Sequence, residues 1–427
     1  MKPTPSDFPT KRTPLSSPLK GNALTTDIIA KSLLIGVTFV LVLLLTLTLA
    51  SCGGSSSGGG TTPTTQASTS GGGSGSGTTP TASPGIGLGT QPCPDAVKAT
   101  AYWDSIIPAQ NGVTRVEKVT CGNLIGNPTL QALVMVRYQG TGATLDVYVF
   151  NNITSPNPSQ LLKLQNLYKG DAKISGYNSI LTAEVDQNSS INAGKNNASL
   201  TQDLFREFKW SDGAGTLVPV SFPGIYPDLT RFQAENDQAQ VNQGQTPWKL
   251  NAAMVASHMA ADPHLLKWPG SAPTTLVSGG GSSDTDAVVT VKNPAAGGGT
   301  LKVSLQRLEG NTNGGIWEVV AVTSDGMSIT SPQNRDRLTS PVKVVGTGNA
   351  FEGVIGKVAV LDHLYQDIGH ANATGVMGNG NTTFSSNVTY NSTFKGGSQE
   401  GIVVLYAENN AAGGSPATAV MLKELLS

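Results

Sequence analysis

The chain has 427 residues and a formal net charge of −1, with 27 Lys and Arg against 28 Asp and Glu, which excludes the broad basic surface of a general nucleic-acid-binding protein. Charged residues make up only 13% of the chain and 51 residues are glycine, a composition typical of extracytoplasmic β-rich proteins and not of helical cytosolic enzymes. The length accommodates two or three domains, and we predict a multidomain, mainly β protein.

Residues 1–51 predict a lipoprotein signal peptide. Basic residues precede an uncharged apolar run at 32–50 that ends in small residues, the pattern of a secretion signal. The sequence LASC at 49–52 resembles the bacterial lipobox, which implies a diacylglyceryl thioether on Cys52 and then cleavage before it. A retained transmembrane anchor is the alternative, because the run is about as long as a bilayer-spanning helix. Both interpretations put the bulk of the chain on the extracellular side of the cell membrane.

Residues 52–91 predict a flexible tether. Gly, Ser and Thr dominate this segment, which offers hardly any apolar side chains for a core. A Gly/Ser coil of this length has an end-to-end distance of roughly 35 Å. Three folded modules are expected beyond it, at residues 92–226, 227–327 and 328–427.

The first module, residues 92–226, is predicted to be β-rich. Leu130–Tyr138 and Leu145–Phe150 are apolar runs on either side of a Gly-rich turn, which indicates a hairpin. Leu204–Trp210 and Thr216–Phe222 repeat the pattern around a second turn, so a second hairpin is expected.

Cys93 and Cys121 are predicted to form a disulfide, because an even pair of cysteines lies in one small exported module. Two free thiols are the alternative. The loop that begins at Cys121 resembles the Asp-rich calcium loop of integrin-type and VCBS β repeats, but Asn123 and Asn127 stand where carboxylates are needed. No metal is therefore expected in this loop.

The second module, residues 227–327, is predicted to have an α+β fold. Asp228 is expected to cap a helix that runs towards Val241, and Thr246 to cap a second helix that Pro263 stops. One face of the second helix carries Trp248, Ala252, Val255 and Met259. Three strands are expected at residues 287–292, 301–307 and 316–322.

The third module, residues 328–427, is predicted to be a β-sandwich of short strands. A series of short motifs within it contains Pro332, Ser340-Pro341, Val345-Gly346, Phe351-Glu352 and Glu408. Their order resembles the Gmad2 family, the immunoglobulin-like domain of bacterial spore-germination lipoproteins and other envelope proteins. The expected glycine comes late, at Gly369, and residues 371–383 are interpreted as a lengthened loop. The resemblance implies an immunoglobulin-like fold and an envelope setting, and it supplies no catalytic residues.

No catalytic residue, metal site or cofactor is predicted. The four histidines are His258, His264, His363 and His370. Pro263 separates the first two, so they do not share a helical face, and each histidine is interpreted as structural or solvated. Asp284 and Asp286 offer two carboxylates for a cation, but a polar entry to a strand is the preferred interpretation.

Three functions remain open on the sequence. The preferred hypothesis is a membrane-anchored, non-catalytic envelope lipoprotein that binds or scaffolds a protein or a cell-wall polymer through its β modules. The first alternative is a ligand-binding or sensory lipoprotein with a small-molecule pocket beside Trp248, Trp268 and Trp317 of the α+β module. An envelope hydrolase is the second alternative.

Cys52→Ser tests the lipobox interpretation. Because cleavage follows lipidation, we expect the variant to keep residues 1–51, whereas the wild-type protein from its native host loses them and carries acyl chains. Intact-mass spectrometry of membrane extracts distinguishes the two forms. Ser57→Ala, in the tether, is the matched control and should be processed like the wild type. A wild-type protein that retains its first 51 residues would establish the transmembrane anchor instead.

Overall fold

Antiparallel β-sheet dominates the computed structural model, which describes residues 88–107, 114–126, 128–310, 314–376, 380–407 and 415–427. The described residues belong to one compact unit, and within them the strands form four sheets. The prediction of a mainly β protein is confirmed. The predicted signal peptide, Cys52, most of the tether, Asn127 and Glu408 lie outside the described residues.

A five-stranded sheet forms the first part of the unit. Its strands are β1 (Thr90–Gln91), β2 (Thr114–Gly122), β3 (Gln131–Tyr138), β4 (Leu145–Asn151) and β5 (Ser159–Leu167). They follow chain order, and every neighbouring pair is antiparallel. The first predicted hairpin is confirmed as β3 and β4. Most residues of both strands are buried on both faces, which explains their near-continuous apolar sequence.

Two short helices, α1 (Asp95–Lys98) and α2 (Thr100–Asp104), cover one face of this sheet. Trp103 of α2 is fully buried in the core between helix and sheet. The structure contains the predicted disulfide between Cys93 and Cys121, which joins the segment before α1 to β2. The helices are therefore attached to the sheet by both packing and a covalent bond.

A four-stranded sheet covers the other face. Its strands are β6 (Asp171–Ile174), β7 (Ile180–Glu184), β8 (Leu204–Ser211) and β9 (Thr216–Val220). Leu133 and Val147 of the first sheet share a core with Ile180 and Phe208 of the second. The second predicted hairpin is confirmed as β8 and β9, which pair through the turn at 211–216.

Two longer helices follow, α3 (Arg231–Asn242) and α4 (Ala252–Ala261), separated by a 3-10 turn at Pro247–Leu250. The predicted caps of both helices, Asp228 and Thr246, are wrong. Thr230 and not Asp228 caps α3, because its hydroxyl accepts a hydrogen bond from the backbone N–H of Gln233.

The second helix is shorter than predicted. Asn251 has extended backbone dihedrals and its side chain accepts a hydrogen bond from the N–H of Met254, so the α-helix begins after Asn251 and not after Thr246. The end before Pro263 agrees with the prediction, because proline cannot continue the helix. Ala252, Val255 and Met259 are buried as expected.

The largest sheet crosses the second and third predicted modules. Its strands are β10 (Thr274–Gly279), β11 (Asp286–Lys292), β12 (Thr300–Gln306), β13 (Glu318–Ser324), β15 (Arg337–Leu338), β17 (Val354–Leu361), β18 (Asp367–Thr374), β20 (Gln399–Ala407) and β21 (Thr418–Leu426). The order is β10-β11-β12-β13-β21-β20-β17-β18, and β15 pairs in parallel with β21. The three strands predicted between residues 287 and 322 are confirmed, whereas β10 was not anticipated.

A three-stranded sheet completes the sandwich. Its strands are β14 (Ser328–Ser331), β16 (Val342–Ala350) and β19 (Gly380–Val388). Val344 and Phe384 of this sheet share a core with Val358 and Val403 of the large sheet. The interpretation of residues 371–383 as a loop is wrong, because most of them continue β18 and β19 as paired strands.

The predicted boundary at residue 327 falls within a shared sheet. Val322 of β13 pairs with Met421 of β21, so strands from both sides of the boundary are neighbours. One face of the large sheet packs against α4, and the other forms the sandwich core. The boundaries of the three modules stay predictions.

Arg231 connects the first module to the second through a buried ion pair. Its guanidinium donates to Glu207 of β8 at 2.9 Å and to Glu309, after β12, at 2.6 Å. The three side chains are at most 7% exposed. Burial lowers the pKa of Arg231, but the two carboxylates outweigh burial and raise it above its ordinary value.

Glu400 of β20 makes a second such connection. It accepts hydrogen bonds from the backbone N–H of Phe222 and from the hydroxyl of Ser221, each at 2.8 Å, and Lys423 of β21 lies 3.4 Å away. A buried charge needs partners of this kind because water is excluded. The end of the first module is thereby fixed against the sandwich sheet.

Arg231→Met should destabilise the protein by about 3–5 kcal/mol, because it leaves Glu207 and Glu309 buried without their cation. Urea denaturation followed by circular dichroism measures the loss. Arg115→Met replaces an exposed arginine and should change the free energy of unfolding by only about 0.5 kcal/mol. Equal effects of the two substitutions would show that the buried ion pair does not hold the modules together.

Glu424 is a buried carboxyl group on β21. Its side chain is fully buried, and among the described residues neither carboxyl oxygen has a hydrogen-bond partner. Burial, together with nearby Asp336, raises the pKa of Glu424 to about 9, although Lys423 acts in the opposite direction. The Glu424 carboxyl group of the folded protein therefore stays protonated at neutral pH, whereas in the unfolded chain it loses its proton at a much lower pH.

Glu424→Gln should reduce the loss of stability that accompanies a rise in pH from about 5 to 8. Because the pKa of Glu424 is higher in the folded state, this group makes its full contribution to the free energy of unfolding at a pH below the ordinary glutamate pKa. The contribution is lost as the pH rises towards about 9. We expect the wild type to lose free energy of unfolding between about pH 5 and 8 and the variant to lose less, in urea titrations. Glu117→Gln, at a partly exposed carboxylate, should keep the wild-type slope. An unchanged slope in Glu424→Gln would contradict the assignment.

Candidate functional site

A cavity of about 540 Å³ lies between the segment after α4 and the large sheet. Its walls come from the segment 263–267, from β17, from residues 365–367, and from the end of β20 with Ser415 and Pro416. Small-molecule sites in proteins have volumes of about 300–1,000 Å³, so the cavity is large enough for a ligand.

Local hydrogen bonds fix the wall that follows α4. The carboxylate of Asp262 accepts from the N–H of His264 at 2.8 Å, and its backbone oxygen accepts from the N–H of Lys267 at 3.0 Å. The indole Nε1 of Trp268 donates to the backbone oxygen of Pro416 at 2.9 Å. This wall is therefore attached to the segment that precedes β21.

The turn between β17 and β18 forms the opposite wall. One oxygen of Asp362 accepts from the N–H groups of Leu364 and Gln366, at 2.8 and 2.9 Å. Tyr365 between them has a left-handed backbone, with φ of 58°, and its hydroxyl donates to the backbone oxygen of Ile225 at 2.8 Å. A non-glycine residue in this conformation is held against its preference, as is common at ligand sites.

The polar groups of the cavity are arranged in pairs. Lys357 Nζ lies 3.1 Å from Asp367 Oδ2, which His370 also contacts at 3.1 Å, and the amide of Gln366 lies 3.2 Å from Nδ1 of His264. Burial raises the pKa of Asp367, but hydrogen bonds from Lys357 and His370 outweigh burial and hold it below its ordinary value. Asp367 is therefore an ionised acceptor at neutral pH.

Aromatic and aliphatic side chains form the remaining surface. Leu265, Leu361, Tyr365 and Tyr406 line the cavity, and Lys357 Nζ lies 5.8 Å from the ring centre of Tyr406. Burial raises the pKa of both phenols above the ordinary value, so both are neutral. The cavity thus combines apolar faces with one ionised donor–acceptor pair, and Lys267 adds an exposed cation on its wall.

The three tryptophans of the predicted pocket do not line this cavity. Trp317 and Trp268 are 0% and 3% exposed and belong to the hydrophobic core. Trp248 stacks on His258 with ring centres 4.3 Å apart, and the guanidinium of Arg307 lies 4.2 Å from the ring centre of Trp317. The predicted tryptophan pocket receives no support, because burial assigns Trp268 and Trp317 to packing.

The other polar residues considered from the sequence lie away from this cavity. Asp284 accepts from the N–H of Gly281, and Asp286 accepts from Gln306, each at 2.8 Å. His363 is buried 3.5 Å from Asp203 of the first module. Within the described ranges, no group of three or more His, Cys, Asp or Glu side chains is arranged to hold a metal ion.

Sequence reasoning missed the cavity, although one signal was present. Lys357 and Tyr406 occupy the face on which Ala359, Leu361 and Val404 of the same strands are buried. A lysine and a tyrosine on this face interrupt the apolar alternation. Without the pairing of β17 with β20, the two interruptions have no visible connection.

No protein-family model and no curated protein matches the chain. The lipobox and Gmad2 resemblances therefore stay predictions. In the part of the chain that the structure describes, no helix has the length and apolar character needed to cross a bilayer. The role of the cavity has to be inferred from its own side chains.

Lys357→Met should raise the pKa of Asp367 towards the ordinary aspartate value, because it removes one of the two donors that stabilise the carboxylate. A pH titration of the Asp367 carboxyl carbon by NMR measures the shift. Lys302→Met, at an exposed position of β12, is the matched control and should leave this pKa unchanged. An unchanged value in Lys357→Met would mean that the ion pair does not form in solution.

Proposed function

We propose that this protein is a lipid-anchored, non-catalytic binding protein of the bacterial envelope, which holds an envelope component at the cavity between the segment after α4 and the large sheet. The observation that carries the proposal is the cavity, whose two walls come from different parts of the chain and are fixed by hydrogen bonds. A site that is ordered before binding loses less conformational entropy when the ligand arrives.

The rigid surroundings of the cavity support binding. Arg231 connects the first module to the segment after β12, and Glu400 connects it to β20, whose end lines the cavity. The pairing of β13 with β21 connects the helical layer to the sandwich. A body of this kind presents one fixed surface at the end of a tether.

The pairing of the polar groups supports a non-catalytic role. Lys357 donates to Asp367, so its ammonium nitrogen offers no electron pair for nucleophilic attack. The amide of Gln366 contacts His264, and the hydroxyl of Tyr365 donates to a backbone oxygen. These arrangements orient hydrogen-bonding groups, which is what recognition requires.

The envelope setting is supported by the sequence alone. An apolar run that ends in the LASC sequence at 49–52, followed by a tether of Gly, Ser and Thr, is the layout of a surface lipoprotein. A thioether-linked diacylglyceryl group provides two acyl chains, enough for stable attachment to a membrane.

Photo-cross-linking on intact cells of the native host tests the proposal. A photoreactive phenylalanine at Lys267, an exposed position on the cavity wall, should yield a cross-linked envelope component, whereas the same group at Lys302 should not. The product should disappear when Lys357→Met and Asp367→Asn are combined with the probe. Equal products from both positions, or a product that survives the double substitution, would refute binding at the cavity.

A further inference from the structure

The side chain of Lys249 lies in a cluster of three carboxyl groups, away from the cavity. Its Nζ contacts Oδ2 of Asp237 in α3 and lies 3.6 Å from Oδ2 of Asp228. Glu318 of β13 is fully buried, and one of its oxygens accepts from the N–H of Asp228 at 3.2 Å. One amine therefore meets three carboxyl groups in a place from which most water is excluded.

The backbone directs the two contacting side chains towards each other. Asp237 follows Ala234 by three positions and precedes Val241 by four, and both of these residues are buried, so Asp237 lies on the buried face of α3. Lys249 belongs to the 3-10 turn, and its backbone oxygen accepts from the N–H of Trp317 at 2.9 Å. The side chain of Lys249 is 8% exposed and that of Asp237 is 21% exposed.

The other two carboxyl groups of the cluster are incompletely hydrogen-bonded. Among the described residues, Oε1 of Glu318 and Oδ2 of Asp228 have no hydrogen-bond partner, although both are buried. Burial raises the pKa of Glu318 well above its ordinary value, and nearby Asp228 raises it further. Burial also raises the pKa of Asp228, although Lys249 acts in the opposite direction. Glu318 is therefore neutral at neutral pH, and Asp228 is the carboxylate that can take up a proton from Lys249.

An amine and a carboxyl group that are held in contact can condense to an amide. Fixing two reacting groups in the right geometry corresponds to an effective concentration of about 10⁵–10⁸ M. Condensation also replaces a buried ammonium and a carboxylate with one neutral group, which removes the cost of keeping two charges away from water. Burial therefore favours the amide in this cluster.

We propose that Lys249 and Asp237 form an intramolecular isopeptide bond. Asp228 accepts a proton from the Lys249 ammonium, and the neutral Nζ attacks Cγ of Asp237. The bond between Nζ and Cγ forms, and the bond from Cγ to one carboxyl oxygen breaks. That oxygen leaves as water with the two protons that the nitrogen loses, and Asp228 transfers them one after the other.

The bond joins α3 covalently to the turn that precedes α4. Unlike the disulfide between Cys93 and Cys121, this link is not broken by reduction. The inference does not depend on the proposed function, since it concerns the stability of the body and not the ligand of the cavity.

Tryptic peptide mapping of the full chain, extracted in detergent, denatured and reduced, tests the proposal. Trypsin cleaves after Arg231, Lys249 and Lys267, but it does not cleave after a lysine whose Nζ belongs to an amide. We expect one peptide, 232–267, with a mass about 18 Da below that of its sequence, because one water has been lost.

Two results from the wild type alone would overturn the proposal. Separate peptides 232–249 and 250–267 of unchanged mass would show that no bond forms. A loss of water on a peptide that ends at Lys249 would show that Asp237 dehydrates without reacting with the lysine.

Variants test the role of each group, and circular dichroism verifies their fold. Asp237→Ala and Lys249→Arg each remove one partner and should give the two separate peptides. Asp228→Asn keeps both partners, and we expect its bonded fraction to form at least tenfold more slowly after synthesis, because the proton acceptor is lost. Asp325→Asn, in the exposed turn after β13, is the matched control and should form the bond at the wild-type rate. Equal rates in Asp228→Asn and Asp325→Asn would overturn the mechanism.

The ion pair of Lys357 and Asp367 is an internal control in the same digest. Its nitrogen and oxygen lie 3.1 Å apart, but the two side chains are 39% and 32% exposed, so both charges remain solvated. Trypsin should cleave after Lys357, and the peptide with Asp367 should keep its full mass. A loss of water there as well would show that the preparation causes the condensation, which would refute a bond specific to the buried cluster.

Discussion

The pairing of β21 with β13 is the contact on which the rest of the structure depends. Val322 and Met421 are neighbours in the sheet although about a hundred residues separate them in the chain. This contact joins a meander of local hairpins, over which α4 packs, to the strands of the sandwich, so that the segment after α4 lies beside β17 and β20. Hydrogen bonds from Trp268 to Pro416 and from Tyr365 to Ile225 add to this connection between the two walls of the cavity.

Buried charges fix the first module to this shared sheet. The guanidinium of Arg231 and the carboxylate of Glu400 are each satisfied by groups from across the interface. Separating the modules would leave these groups in water, and a displaced arrangement would leave them buried and unpaired, which is far more costly. The network therefore selects one arrangement, and the cavity is built on a body with little freedom to rearrange.

The cavity also contains a paired charge. Lys357 and Asp367 neutralise each other at the edge of an aromatic surface, and the hydroxyl of Tyr365 is bound to the backbone of a segment outside the sandwich. Such a site orients a ligand without a reactive group, which is the basis for proposing recognition at the end of an extracellular tether.

The sequence by itself determined the features that depend on neighbouring residues: both hairpins of the first module, the α+β order of the second, and the helix end before Pro263. These follow from alternation, turn residues and proline chemistry, which act over a few positions. It did not determine which side chain caps each helix. Asp228, Thr230 and Asn251 all have an oxygen that can accept a hydrogen bond from a backbone N–H, and only packing decides among them. The tertiary structure alone decided the shared sheet and the burial of Trp268 and Trp317. It also brought the segment after α4 together with Lys357, Gln366 and Tyr406. Each of these features requires contacts between residues that no local pattern connects.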